Sequence, residues 1–268
     1  MQPISKRVAF LVLAGSALAR PVAAGSITLY ADAPPPGVTN IVGNTTTSAP
    51  GFPTGSWQGA ANSPGQKTEL YIAPTQLFGH AVAIGDIQSV SYWTNKGTTA
   101  AAPDWTFYFY TAKQASGNGG SFYHTRLNSE PYLTNTPFVA ANTWHQWSTN
   151  DPTHPMRFYD TFRDGGIFGT YTDPTLADIQ AGPVTWPSTS TTVDYRSEQI
   201  LAFSIQTGSA WANGFTGLVD GLTITLSNHE VGTVNFEAAA VPEPATVLSL
   251  SAAGLCALIS YVRRRRAK

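Results

Sequence analysis

The stretch Ile200-Leu201-Ala202-Phe203-Ser204-Ile205-Gln206 alternates apolar with small or polar residues and places Leu201, Phe203 and Ile205 on one face. Leu222-Thr223-Ile224-Thr225-Leu226 repeats the pattern with Leu222, Ile224 and Leu226. Side chains of a strand point alternately to opposite faces, so a period of two commits such stretches to strands with one buried side. The same signal appears at residues 68–72 and 86–94, and at 106–111, where Phe107 and Phe109 share one face and Tyr108 and Tyr110 the other. Residues 121–125 and 126–133 suggest a further pair of strands beyond the flexible Gly117-Asn118-Gly119-Gly120. Only 12% of the residues are charged, against about 25% in ordinary soluble domains. Long amphipathic helices need Lys, Glu and Arg on their wet face, so this scarcity points the same way: the fold class is all-β.

Ahead of these strands, residues 25–65 are rich in Pro, Gly, Thr, Ser and Asn. Residues 26–30 read as an edge strand, Pro34-Pro35-Pro36-Gly37 as a turn or short polyproline element, and the rest as loops with at most one short strand. This segment is the loop-rich start of a domain whose β-sandwich proper covers residues 66–237. One helix is expected as an insert, with Asp173 as its cap, Pro174 in first position, Leu176 and Ile179 as its apolar face and Gly182 at its exit. No repeating βα pattern and no internal repeat is present.

The two ends do not belong to this core. Lys6 and Arg7 precede an apolar run over residues 8–18 that is too short to span a bilayer; Pro21 breaks it and Val22-Ala23-Ala24 supplies small residues. Residues 1–24 therefore read as a secretory signal, cleaved between Ala24 and Gly25. At the other end, residues 245–262 carry no charge, and at about 1.5 Å per helical residue they match hydrocarbon thickness. Residues 238–244 form the linker into this span. Arg263, Arg264, Arg265 and Arg266 follow it in a basic tail, residues 263–268, that stays cytoplasmic. The only cysteine, Cys256, lies in the apolar run, so no internal disulfide and no Cys-based zinc site is available to the exported part.

Val241-Pro242-Glu243-Pro244, one apolar helix and a terminal arginine cluster, in that order, resemble the PEP-CTERM sorting signal of Gram-negative bacteria. The resemblance implies recognition by an exosortase-type membrane protease acting near Val241, Pro242, Glu243 and Pro244. It also implies passage from an inner-membrane-anchored, periplasm-facing state to the cell surface or the extracellular matrix of a biofilm. A second resemblance, over about a quarter of the domain, is to concanavalin-like and laminin-G-like modules. Asn142-Thr143-Trp144-His145-Gln146-Trp147-Ser148 resembles their aromatic strand, and the ten residues from Phe215 to Ile224 their closing strand. It implies an antiparallel two-sheet sandwich of jelly-roll type.

Residues 25–240 keep seven basic against fifteen acidic residues, a net charge of −8, which excludes nucleic acid as the expected partner. Among seven tryptophans, Trp57, Trp105 and Trp211 neighbour Gly, Pro, Ser or Asn, and are the candidates for exposed indoles that stack on a sugar. Asn150-Asp151 and Asp160/Asp164-Gly165 offer oxygens for calcium, but their spacing is not that of an EF-hand loop and such residues commonly build turns; no cofactor or metal is assigned. Glu69, Glu130, Glu198 and Asp194 are the carboxylates available for glycoside hydrolysis, which needs two at a defined separation, and no motif brings any pair together. The five histidines form no HExxH, and no GxSxG, Walker A or strand-borne GxGxxG occurs. The expected function is a non-enzymatic surface or matrix protein that binds polysaccharide. The alternatives are a carbohydrate-active hydrolase or lyase on a jelly roll and a coat component with no ligand site.

Overall fold

The computed structural model describes residues 25–53, 55–60, 66–96, 104–112, 125–130, 140–164, 172–208 and 215–239. The readings made for residues 1–24 and for the Pro-Glu-Pro motif, the apolar run and the arginine cluster beyond residue 239 lie outside them. No helix among the described residues is long and apolar enough to cross a membrane.

Strands dominate the regular structure of the described residues, with little helix. One sheet has seven: β1 (Ser26–Tyr30), β2 (Ile41–Asn44), β3 (Ser56–Gly59), β5 (Ile87–Asn95), β8 (Trp144–Ser148), β12 (Leu218–Leu226) and β13 (Val231–Glu237). A second has four, in the order β4 (Glu69–Ile72), β11 (Ala202–Gln206), β6 (Thr106–Ala112) and β7 (Thr125–Ser129). A hairpin of β9 (Val184–Trp186) and β10 (Thr191–Val193), two short helices, α1 (Pro74–Phe78) and α2 (Leu176–Ala181), and a 3-10 turn, Ile84–Asp86, complete the set.

β12 organises the larger sheet. One of its edges pairs with β5 along most of its length. The other edge is shared, with Leu218 and Val219 on β3 and Leu222 to Thr225 on β13. The fork falls at Asp220 and Gly221, where the register with β5 shifts and Gly221 takes φ +61°. A bulge of this kind inserts one residue and changes the phase of the strand. Val219 and Leu222, three apart, therefore both face the core and are fully buried, as Ile224 is and Leu226 nearly so.

Both sheets contribute to one apolar cluster. Trp57, Tyr92, Val219, Ile224 and Phe236 come from the larger sheet, and Leu70, Ile72, Phe107, Phe109, Phe203 and Ile205 from the smaller. Tyr92 and Phe107 stack between the sheets with centroids 6.3 Å apart, and the Tyr92 hydroxyl donates to the Trp105 carbonyl at 2.9 Å. Each such side chain contributes about 1.5–3 kcal/mol when fully buried.

Several local expectations are corrected. Residues 25–65 are not mainly loop: β1, β2 and β3 all belong to the larger sheet. β2 and β3 are four residues each, too short to show a period in sequence. The pairing is antiparallel except at one edge, where β1 runs parallel to β13. Parallel neighbours need a long crossover, and here the rest of the sandwich separates the two strands in sequence. Leu201 is 38% exposed, because β11 begins only at Ala202; Ile200 is buried in its place. The cap of α2 is Thr175, not Asp173: its hydroxyl accepts from the Asp178 N–H at 3.2 Å, while the Asp178 carboxylate accepts from the Thr175 N–H at 2.9 Å. That reciprocal pair satisfies two otherwise orphaned donors. Of the strand pair expected over 121–133, β7 is present and most of the rest lies outside the described residues.

A Cβ added at Gly221 would come within 2.4 Å of the Phe52 ring, at a φ that disfavours side chains. Gly221→Ala should therefore lower the unfolding free energy by about 2 kcal/mol or more. A urea midpoint equal to that of the parent chain would show that the bulge tolerates a side chain.

Candidate functional site

Two of the three tryptophans expected at the surface are interior. Trp57 is 1% exposed; its indole N–H donates to the Leu29 carbonyl at 3.2 Å and its ring meets Phe236 edge-on at 4.9 Å. Trp105 is fully buried, donates to the Gly217 carbonyl at 2.9 Å and packs against Phe215. Their small and turn-forming neighbours suggested loops. In the fold, residue 57 is an inward position of β3, and residue 105 leads into β6 beneath the Phe215–Gly217 segment. Neither ring can stack on a ligand. Trp211 lies outside the described residues.

The indoles available to solvent are others. Across the larger sheet, Val42 pairs with Gln58, Gln58 with Leu218, Leu218 with Asn95 and Asn95 with Trp144. Directly paired residues share a face, so these five form one row over β2, β3, β12, β5 and β8. Since Tyr92 and Thr94 point into the core, this row faces outward. Trp93, two residues before Asn95 on β5, shares that face and pairs with Gln146. Trp93 and Trp144 are thus diagonal neighbours, both half-buried. No pattern in the sequence singles them out, because their common face depends on the register between β5 and β8.

Beside them lies a recess of about 410 Å³ lined by Asn44, Thr46, Thr47, Gln58, Asn95, Asn142, Thr216 and Leu218, a size in the range of small-molecule sites. Its wall is built locally. The Asn44 Oδ1 accepts from the Thr46 N–H, the Thr46 hydroxyl and the Thr47 N–H at 2.9, 3.0 and 3.1 Å. The Trp144 indole N–H donates to the Thr47 hydroxyl at 2.9 Å, which fixes the ring beside this wall. Asn142, in the left-handed region at φ 57°, is tied by its N–H to the Lys96 carbonyl at 2.7 Å. The side-chain amides of Gln58, Asn95 and Asn142 make no hydrogen bond to the described residues. Asn95 is only 8% exposed, but its amide is not among the buried polar atoms without a partner, so it meets solvent at the recess it lines.

Two buried carboxylates adjoin this face, Asp220 on it under the loop that carries Ala49 and Asp104 beneath it. Asp220 follows Leu218 on the same side of β12. It accepts from the backbone N–H groups of Ala49 (3.1 Å), Gly221 (2.7 Å) and Phe236 (3.1 Å). Desolvation pushes its carboxyl up to about 6, while these donors hold it back. Asp104 accepts from the Thr94 hydroxyl at 2.7 Å and the Trp105 N–H at 2.8 Å, with the Trp147 indole at 3.4 Å. Burial raises it to about 6 against these bonds and the charge of Lys96. The Lys96 ammonium is itself held below its ordinary value by desolvation. Asp220 is a mid-strand group that closes the fork.

The carboxylates considered for catalysis are dispersed into separate contacts. Glu69 pairs with Lys67, Glu130 accepts from the Tyr159 hydroxyl, Glu198 pairs with Arg163 and Asp194 with Arg196. None of them lines the recess. The acidic loops make turns: Asp151 Oδ1 accepts from the N–H groups of Thr153 and His154, and Asp160 Oδ1 from those of Phe162 and Arg163. Among the described residues no group of three or more His, Cys, Asp or Glu side chains is placed to hold a metal. No family model, curated protein or solved structure matches the chain.

The raised carboxyls have a defined pH consequence. Their folded values lie above the ordinary 3.8, so the stability they confer is complete below that value and is lost as pH rises through about 6. Asp104→Asn should flatten the decline in urea midpoint between pH 4 and 7 relative to the parent chain. Parallel curves for the two proteins would mean that Asp104 titrates alike in the folded and unfolded chains.

Proposed function

We propose that this chain is an exported, non-enzymatic surface or matrix protein that binds polysaccharide on the outer face of its larger sheet. The single observation that carries the proposal is the recess beside Trp144, whose lining among the described residues is amides, hydroxyls and one leucine, with no ionisable group. Hydroxyl-rich ligands need this mixture: neutral donors and acceptors for their oxygens and an aromatic face for their C–H surface. Acid–base hydrolysis needs two carboxylates on one site, and the lining supplies none, which favours binding over the hydrolase or lyase alternative. The two-sheet architecture fits a jelly-roll-type sandwich, the fold implied by the resemblance to concanavalin-like modules.

Export and anchoring rest on the ends of the chain. The secretory signal pattern with cleavage between Ala24 and Gly25 sends the domain across the inner membrane. The apolar run and Arg263 to Arg266 hold it there, with the domain on the periplasmic side. The likeness of Val241-Pro242-Glu243-Pro244 to the PEP-CTERM signal supports processing by an exosortase-type protease and transfer to the surface or matrix.

Two experiments test this function. Full chain purified in detergent should bind at least one immobilised polysaccharide of a glycan array, and Trp144→Ala should weaken that binding by about tenfold, the equivalent of roughly 1.4 kcal/mol. Undiminished binding by the variant would place the site elsewhere. Replacing both Pro242 and Pro244 by Ala should leave the protein in the inner-membrane fraction of its own host, and unchanged release would rule out processing at this motif.

A further inference from the structure

We infer that the recess takes an internal stretch of an uncharged polysaccharide, laid across the strands along the row from Trp144 to Val42. A single sugar or a charged chain does not fit it equally well. The inference rests on the binding function proposed above and specifies its ligand.

Three observations carry it. The first is direction. The paired row Trp144, Asn95, Leu218, Gln58 and Val42 crosses five adjacent strands, and at about 4.8 Å per strand it is roughly 19 Å long. Gln58, Leu218 and Asn95 form the middle of this row and also line the recess. The row stays accessible at both extremities: Val42 is 45% exposed, and Trp144 is half-buried. A recess closed at one end would select a chain terminus; one continued by an accessible residue on either side lets a polymer pass through.

The second is hydrogen-bonding capacity. The amides of Gln58, Asn95 and Asn142 have no partner among the described residues, and Asn95 is more than nine-tenths buried. Their donors and acceptors are therefore open to a ligand in the recess. Gln58 and Asn95 flank Leu218 on either side, so their backbones are two strand spacings apart, about 10 Å. Successive units of a chain match that span better than one ring, with Leu218 beneath the apolar face between them.

The third is charge. None of the eight lining residues titrates. The exported part carries a net charge of −8, which repels a polyanion. An acidic polysaccharide would lose water from its carboxylates and gain no cation from this lining.

The test uses full chain in detergent and named probes. Dextran, mannan, xylan and a β-glucan represent neutral polymers, with alginate and polygalacturonate as acidic ones; oligosaccharides of one to six units are then prepared from the best binder. At least one neutral polymer should bind and the acidic polymers should not. Affinity should rise at least tenfold from one unit to four and then level off. Asn95→Ala and Gln58→Ala should each weaken the four-unit ligand several-fold. Gln58 is only half-buried, so its variant keeps the test decisive if the Asn95 variant fails to fold. Tight binding of a single sugar, equal to that of four units, would overturn the through-running chain while leaving polysaccharide binding intact. Preference for the acidic polymers would overturn the charge argument in the same way. Binding to none of the probes would remove the underlying binding function along with this one.

Discussion

The carboxylate of Asp220 sits where three pieces of backbone meet. On one edge of β12 the first residues pair with β3 and the later ones with β13, and between them the ladder has no strand to offer. Backbone donors left unpaired in a buried place are costly. Asp220 supplies the missing acceptors: it takes the N–H of Phe236 on β13, that of Gly221 at the bulge and that of Ala49 on the covering loop. Its desolvation is the cost of that role, visible in its raised carboxyl. Loss of Asp220 would leave those three donors without an acceptor at the junction that seats β3 and β13 on β12.

The candidate site follows from that fork. Because β3 joins the first part of β12, Gln58 comes beside Leu218, and through β5 beside Asn95 and Trp144. The loop between β2 and β3, held over Asp220 through Ala49, then brings Thr46 and Thr47 to the edge of the row. The bulge returns Leu222 to the core face that Val219 already occupies, while Leu218 and Asp220 lie on the outer face of β12. Beneath the same strands, Asp104, Thr94 and Trp147 form a buried polar network that joins the end of β5 to β8 and to the entry of β6. A network in which each member is paired favours one arrangement of the strands over others.

The period-two stretches at β6, β11 and β12 were legible because each is long enough for alternation to appear and each sends its large apolar side chains to one face, although β6 and β11 are buried on both. Phe107 and Phe109 lie in the core as that pattern requires, and so do Leu222, Ile224 and Leu226. β2, β3 and β13 were not, for different reasons. The first two are too brief, and in β13 a glycine at the inward position 232 and a valine at the exposed position 231 blur the alternation. For the tryptophans, neighbouring small residues proved a poor guide to exposure: a short strand with one inward position can bury an indole completely, as β3 does with Trp57.

From the residues alone came the all-β class, the main strands and their inward faces, the turn-making role of Asp151 and Asp160, and the low proportion of charged residues. These are local properties, set by side-chain alternation and by short-range bonding of Asp and Asn to nearby backbone. Only the tertiary structure decided that Trp93, Trp144, Gln58 and Asn95 share one outward face, and that Asp220 closes a fork. Both depend on register between strands far apart in sequence. A slip of a single residue in that register would turn every one of these side chains to the opposite face.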